Sequence, residues 1–184
     1  MPMKPYKHKT IRGKGARRKG SRAEIKVRNA LRTIYPVELR NNVQRVPLSG
    51  AGAIKCDVMD TNDPNSAYEV KCQESLNLND WWRQAKSQAG MRTPILVITQ
   101  AYRPFYYIMK KFEWDEIRNY TEFELFDESV EMANRCLMDR LAELDERQVA
   151  LMNIDDDECV IIPECYYLEV KEAEYQMRLI DNAK

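Results

Sequence analysis

Between Pro94 and Gln100 the side chains are Ile95, Leu96, Val97, Ile98 and Thr99, all aliphatic or β-branched. A run with no polar alternation suits a strand covered on both faces, which places it at the centre of a sheet rather than at an edge. The rest of the chain has to supply the layers that cover it. Ala23, Val27, Ala30, Leu31 and Ile34 recur at helical spacing, so 21–35 reads as an amphipathic helix ending before Pro36. Ser21 and Glu24 fit the capping-box pattern at its start.

Short runs separated by turn residues follow. Val43–Leu48, Ile54–Met59 and Ala67–Cys72 read as strands, divided by Ser49-Gly50-Ala51-Gly52 and Asn62-Asp63-Pro64-Asn65. A helix capped by Asn79 or Asp80 then runs through Trp81, Trp82, Ala85 and Ala89 to Gly90. Phe105–Met109 reads as another strand, with a short helix near Trp114–Asn119. Beyond 120 the pattern is mostly helical, with a stripe of Val130, Ala133, Leu137, Leu141 and Leu144. Cys159–Ile162 fits one more strand, and 166–180 is open between helix and strand. The order of helix, strands, helix and strands predicts an α/β core with a mixed sheet. The expected organisation is a flexible basic arm over 1–20, a core over 21–119 and an acidic, mostly helical extension over 120–184.

Charge is divided along the chain. Residues 1–40 hold 13 Lys and Arg against 2 Asp and Glu, whereas residues 113–184 hold 7 against 21. A basic head of this kind predicts a polyanion partner, with Arg17, Arg18, Lys19 and Arg22 as phosphate contacts. No apolar run approaches the roughly 18 residues of a membrane span, and the basic N-terminus lacks the apolar stretch of a signal peptide. A soluble, cytoplasmic protein is expected. Five cysteines without a C-x-x-C pair predict free thiols, and the one histidine, His8, argues against a zinc site. A metal here would be a hard cation held by carboxylates, Mg²⁺ or Mn²⁺.

Carboxylates with that capacity occur at Asp57, at Glu69 in Glu69-Val70-Lys71, and at Glu24. Glu69 and Lys71 are two residues apart on one strand, so they leave the same face. Asp57 lies on the preceding strand, with Cys56 and Val58 turned to the core. Lys55 alternates onto the face of Asp57 as a phosphate contact. Gathered carboxylates repel, and a divalent cation removes that cost while activating a water for attack on phosphorus. Lys71 then orients that water and offsets charge on the phosphate. The E-x-K tripeptide occurs three times, and Asp157, Glu169 and Lys171 repeat the spacing of Asp57, Glu69 and Lys71. Context separates the copies: the second lies in the acidic third, whereas the first follows a basic helix and precedes a helix carrying Trp81, Trp82 and Gln84. The two tryptophans read as packing residues.

Arg18-Lys19-Gly20-Ser21-Arg22-Ala23-Glu24, Val46-Pro47-Leu48-Ser49-Gly50 leading to Asp57, and Tyr68-Glu69-Val70-Lys71 together resemble the archaeal-type Holliday junction resolvases of the PD-(D/E)xK superfamily. The likeness covers about residues 17–110. It implies a restriction-endonuclease-like core, with Glu24, Asp57, Glu69 and Lys71 catalytic and Ser49 near the scissile phosphate. It also implies metal positions at Glu24, Asp57, Glu69 and Val70, and a homodimer acting on four-way DNA junctions. Cys56 stands where the superfamily often has Pro. Two other readings remain open at this stage. One is a nuclease of the same superfamily acting on other branched or linear DNA; the other is a non-catalytic DNA-binding protein on the same scaffold.

Overall fold

The computed structural model describes residues 12–46, 55–119, 137–143 and 145–183, with only the backbone described over 12–17. Seven strands form one sheet in the order β1-β2-β3-β4-β5-β7-β6. They are β1 (Val43–Arg45), β2 (Val58–Asp60), β3 (Ser66–Cys72), β4 (Thr93–Thr99), β5 (Tyr106–Lys110), β6 (Ala150–Ile154) and β7 (Asp157–Pro163). The β3–β4 pair is parallel and every other pair is antiparallel. The helices are α1 (Arg12–Thr33), α2 (Leu78–Ala89), α3 (Lys111–Arg118), α4 (Leu137–Leu141) and α5 (Glu164–Asn182). This is the mixed α/β sheet of a restriction-endonuclease-like fold.

The apolar β4 run is buried on both sides, as its composition requires. Val97 joins α1 and α5 residues in one core, together with Val27, Leu31, Tyr68, Tyr107 and Tyr167. Leu96 and Ile98 face the other way and pack with Trp81, Trp82 and Ala85 of α2 and with Leu137 and Leu141 of α4. Parallel pairing of β3 with β4 needs a crossover, and α2 supplies it. The strand register puts Glu69 beside Leu96 and Lys71 beside Ile98. Both charged residues therefore emerge on the α2 side, while Tyr68 and Val70 fill the α1 side.

Two sequence expectations change, and one open reading is closed. Helix α1 starts at Arg12, so Ser21 lies mid-helix and forms no capping box, and part of the expected arm is helical. Ala, Arg and Lys are strong helix formers, and their sum outweighs the glycines at 13, 15 and 20. The acidic third is also not an appended set of helices: β7 pairs with β5 and extends the sheet, and β6 pairs with β7. Asp155 and Asp156 make the two-residue hairpin turn, with φ of 50° and 66°, the left-handed geometry that matches strand twist. Finally, 166–180 is helical, inside α5. Val130, Ala133 and Leu144 of the predicted stripe lie outside the described residues.

No helix among the described residues is long and apolar enough to cross a membrane. Cys56, Cys72, Cys159 and Cys165 form no disulfide.

A buried ionic cluster joins α5 to the turn before β3. Lys171 donates to Asp63 at 2.7 Å and to Glu174 at 2.6 Å, and Ser66 donates to Asp63 at 2.6 Å. Arg178 pairs with both carboxylates. Burial alone would raise the Asp63 carboxyl, but Lys171, Ser66 and Arg178 together hold it below the ordinary range. A carboxylate depressed in this way adds stability that is present above its unfolded value, near ~3.9, and is lost as pH falls through the folded value. Removing the Lys171 ammonium leaves two buried carboxylates without their shared partner, which costs about 3–5 kcal/mol. Lys171→Ala is therefore expected to lower Tm by on the order of 10 °C at neutral pH and by less near pH 3. Thermal unfolding followed by circular dichroism checks this; an unchanged Tm would remove the cluster from the list of stabilising contacts.

Candidate active site

Strand β2 pairs with β3 only at Val58 and Tyr68, and the chain just before it stays attached through backbone bonds. Asp57 N–H donates to the Tyr68 carbonyl at 2.9 Å, and Val46 N–H donates to the Asp57 carbonyl at 2.9 Å. These bonds fix the Asp57 backbone, and Cys56 and Val58 on either side are fully buried, at 1% and 0% exposure. The Asp57 side chain turns back to β3, where its Oδ2 accepts the Val70 N–H at 2.9 Å. A strand residue sends its N–H and C=O to the same side, so the Val70 carbonyl faces this edge too.

Glu69 is 4% exposed. Its Oε1 accepts from Lys71 Nζ at 2.6 Å and from Gln84 Nε2 at 2.8 Å. Lys71 Nζ also donates to Gln84 Oε1 at 2.9 Å, which closes a triangle between the strand and α2. The other carboxylate oxygen, Oε2, is buried and has no hydrogen-bond partner among the described residues. Burial raises the Glu69 carboxyl, the charge of Asp57 raises it further, and Glu24 adds to the effect against Lys71. Three carboxylates thus act on one another here. Glu24 itself pairs with Arg45 of β1.

Among the described residues no three Asp, Glu, His or Cys side chains converge at metal-holding distance. Two of the carboxylates have a cation as partner: Arg45 on Glu24 and Lys71 on Glu69. The donor set still fits a hard divalent ion. Glu69 Oε2 is an orphaned, buried anionic oxygen next to Asp57, and a buried carboxylate oxygen without a donor is costly unless a cation meets it.

The sequence-derived residues are distributed as follows. Asp57, Glu69, Val70 and Lys71 come together, and Glu24 lies within electrostatic reach. Lys55 is exposed just ahead of Asp57, and Arg18, Lys19 and Arg22 are exposed on α1. Lys19 pairs with Glu74 at 3.2 Å. Ser49 and Gly50 lie outside the described residues, as does the Arg17 side chain. Arg45 was missed. The available signal was its place two residues after apolar Val43, which puts the cation on the inward face of that strand. Gln84, named only as a neighbour, joins the site directly. Trp81 and Trp82 are core residues, at 7% and 0% exposure.

The repeated spacing at Asp157, Glu169 and Lys171 builds nothing comparable. Asp157 binds Trp82 and Lys86 of α2, Glu169 pairs with Arg147 on the surface, and Lys171 is buried with Asp63. Asp157 ends a strand while the other two lie on a helix, so equal spacing in sequence does not become one face.

A family model described as "Phage putative PDDEXK endonuclease" matches residues 15–150, from α1 to the start of β6. No curated protein and no solved structure matches the chain significantly. The match is to a phage family of the PD-(D/E)xK superfamily and not to the archaeal-type resolvases. Nucleases of this superfamily generally use divalent metals, in keeping with the orphaned oxygen of Glu69. With its matched span reaching over most of the sheet and including every element that builds the Asp57–Glu69–Lys71 site, the chain belongs to this PD-(D/E)xK endonuclease family.

Proposed function

We propose that the protein is an Mg²⁺-dependent endodeoxyribonuclease, with Mn²⁺ able to substitute, and that it acts as a homodimer on branched DNA by paired nicks in four-way junctions. The observation that carries the catalytic reading is the buried, unpartnered Glu69 Oε2 beside Asp57, with Lys71 locked between Glu69 and Gln84. The junction reading rests on the resemblance of residues 18–24, 46–50 and 68–71 to resolvases. A two-fold substrate cut on both strands needs two equivalent sites, and a symmetric dimer provides them.

Asp57, Glu69, the Val70 carbonyl and Glu24 would hold the cation. When bound, that cation would acidify an attacking water and offset charge on the phosphate. The chain's own groups account for the remainder. The water oxygen bonds to phosphorus as the bond to the leaving sugar oxygen breaks. Lys71, as an ammonium, donates to the phosphate oxygen on which charge builds. Gln84 keeps Lys71 from swinging, because it accepts from its Nζ and donates to the same Glu69 oxygen. Arg45 lies beside Glu24, where it can pass from the carboxylate to a phosphate once a cation takes its place. Exposed Arg18, Lys19, Arg22 and Lys55 supply phosphate contacts that set affinity rather than sequence preference. A second reading keeps the chemistry but changes the substrate to flaps, nicked duplex or linear sites. The family match favours it, since that family is described only as an endonuclease.

The deciding experiment incubates the protein with a labelled four-way junction and a matching linear duplex, with Mg²⁺ and with EDTA. Symmetrical, Mg²⁺-dependent nicks in the junction alone are expected, from a species that light scattering sizes as a dimer. Cleavage of linear DNA would discard the junction specificity, and no cleavage of any form would leave a DNA-binding scaffold. Asp57→Asn is expected to abolish cleavage while keeping DNA affinity, and Lys71→Ala to slow it about a hundredfold or more.

A cation that meets Glu69 Oε2 also stabilises the fold, because it binds the native state alone. Millimolar Mn²⁺ is thus expected to raise Tm by several degrees in the parent protein. Asp57→Asn and Glu69→Gln should lose that rise. A rise of equal size in both variants would place the metal elsewhere.

A further inference from the structure

On the opposite side of β3 from the catalytic pair, a trough of about 670 Å³ runs between α1 and the β4–β5 connection. It begins one residue past Lys71, at Cys72, and ends at Thr99 on the neighbouring strand. Four of its lining side chains are cations: Lys19, Arg22 and Lys26 from α1, and Arg103 from the connection. Only two have carboxylate partners among the described residues, Lys19 with Glu74 and Arg103 with Asp139, and both of those pairs are exposed. Lys26 lies over the Phe105 ring, 5.9 Å from its centroid. Arg22 has no partner among the described residues.

Tyr102 stands on the rim, fully exposed, with φ of 64°. A left-handed backbone is uncommon and costly for a residue other than glycine, and an aromatic ring held wholly in water gains nothing from packing. Such outliers concentrate where a ligand is clamped. The Thr99 hydroxyl fixes the turn by donating to the Arg103 carbonyl at 3.0 Å, and Arg103 N–H closes onto the Gln100 carbonyl at 3.1 Å. The ring is therefore presented by a braced loop.

We propose that this trough binds an unpaired single strand of the nucleic acid on the α1 face of the sheet, with Tyr102 stacking on a base. The inference rests on the nuclease reading and narrows its substrate class to DNA with a single-stranded or readily unpaired segment. Cations along a groove with aromatic rings at its side are the arrangement that takes a backbone and its bases without reading sequence. The volume is that of a site for a small molecule, which suits a few nucleotides and not a double helix. A duplex hides its base faces in the stack, so Tyr102 discriminates in favour of an unpaired strand.

The test uses the full chain in EDTA, so that cleavage does not enter. Affinity is measured by fluorescence anisotropy for a short oligothymidylate and for a blunt duplex of equal length. A single 2-aminopurine in the single strand reports stacking through its fluorescence. Tyr102→Ala is expected to weaken single-strand binding about tenfold and to abolish the fluorescence change, with duplex affinity moving less than about twofold. Tyr102→Trp should restore both. Arg22→Ala should weaken single-strand binding and flatten its salt dependence by about one unit of slope. Equal losses for both DNAs, or no loss in Tyr102→Ala, would overturn the proposal. The two readings fail separately: Tyr102-dependent binding without any Mg²⁺-dependent cleavage would sink the nuclease and keep the trough, and cleavage with Tyr102-independent binding would do the reverse.

Discussion

Parallel pairing of β3 with β4 is the constraint on which the rest of the molecule depends. Seven residue pairs from Ser66–Thr93 to Cys72–Thr99 hold it, and both strands are covered on both faces. A parallel pair cannot be joined by a hairpin, so α2 has to cross one face, and α1 then closes the other. Because β2 meets β3 at one residue pair only, the last part of β3 has no ladder partner on that side among the described residues. The Val70 amide is satisfied by the Asp57 carboxylate instead. One unfilled place in the backbone ladder thus brings an acidic side chain onto the strand that already carries Glu69 and Lys71.

Two buried carboxylates with lysine partners show how the surroundings set the outcome. Asp63 has Lys171, Arg178 and the Ser66 hydroxyl around it and is held low, which makes it a stabilising contact. Glu69 has Lys71 as its one cation and the neutral Gln84 amide beside it, set against burial and the charges of Asp57 and Glu24, and is pushed up. The upward push on its carboxyl and its orphaned oxygen both point to negative charge that the described residues do not neutralise. Uncompensated charge of this kind marks a site kept for function at the expense of stability.

The strand of the candidate site was legible in the sequence because its signals are local. Alternation put Glu69 and Lys71 on one face, and the apolar run at Ile95–Thr99 located the central strand. The decoy at Asp157, Glu169 and Lys171 was separable only by context, since the same spacing spans a strand and a helix there. What was missed depended on partners distant in sequence. Arg45 gains its meaning from Glu24 on α1, and β6 was hidden because, as an edge strand, Ala150–Ile154 buries only its two ends, in a core shared with α4 and with α2, which is far away in sequence. The strand expected at Cys159–Ile162 is there and wholly buried in β7, but the acidic composition around it hid its place in the main sheet beside β5. The start of α1 at Arg12 followed from helix propensity, which the glycines and the capping-box pattern obscured.

The acidic third has a physical role that its charge alone does not suggest. Helix α2 is the element that positions Gln84, and it is gripped from the far side by the β6–β7 hairpin. Lys86 donates to Asp157 at 2.6 Å, Trp82 Nε1 donates to the same oxygen at 2.9 Å, and Arg83 reaches Asp155 at 2.8 Å. Burial works against the Asp157 charge, yet Lys86, Trp82 and Lys110 hold its carboxyl down to about 2. The same helix therefore meets acidic groups at both of its sides: Asp155 and Asp157 fix it to the sheet, while Gln84 faces Glu69. Any shift of the hairpin is passed through α2 to the Gln84–Lys71 contact. The residues that looked like an acidic appendage anchor the helix whose Gln84 holds Lys71 against Glu69.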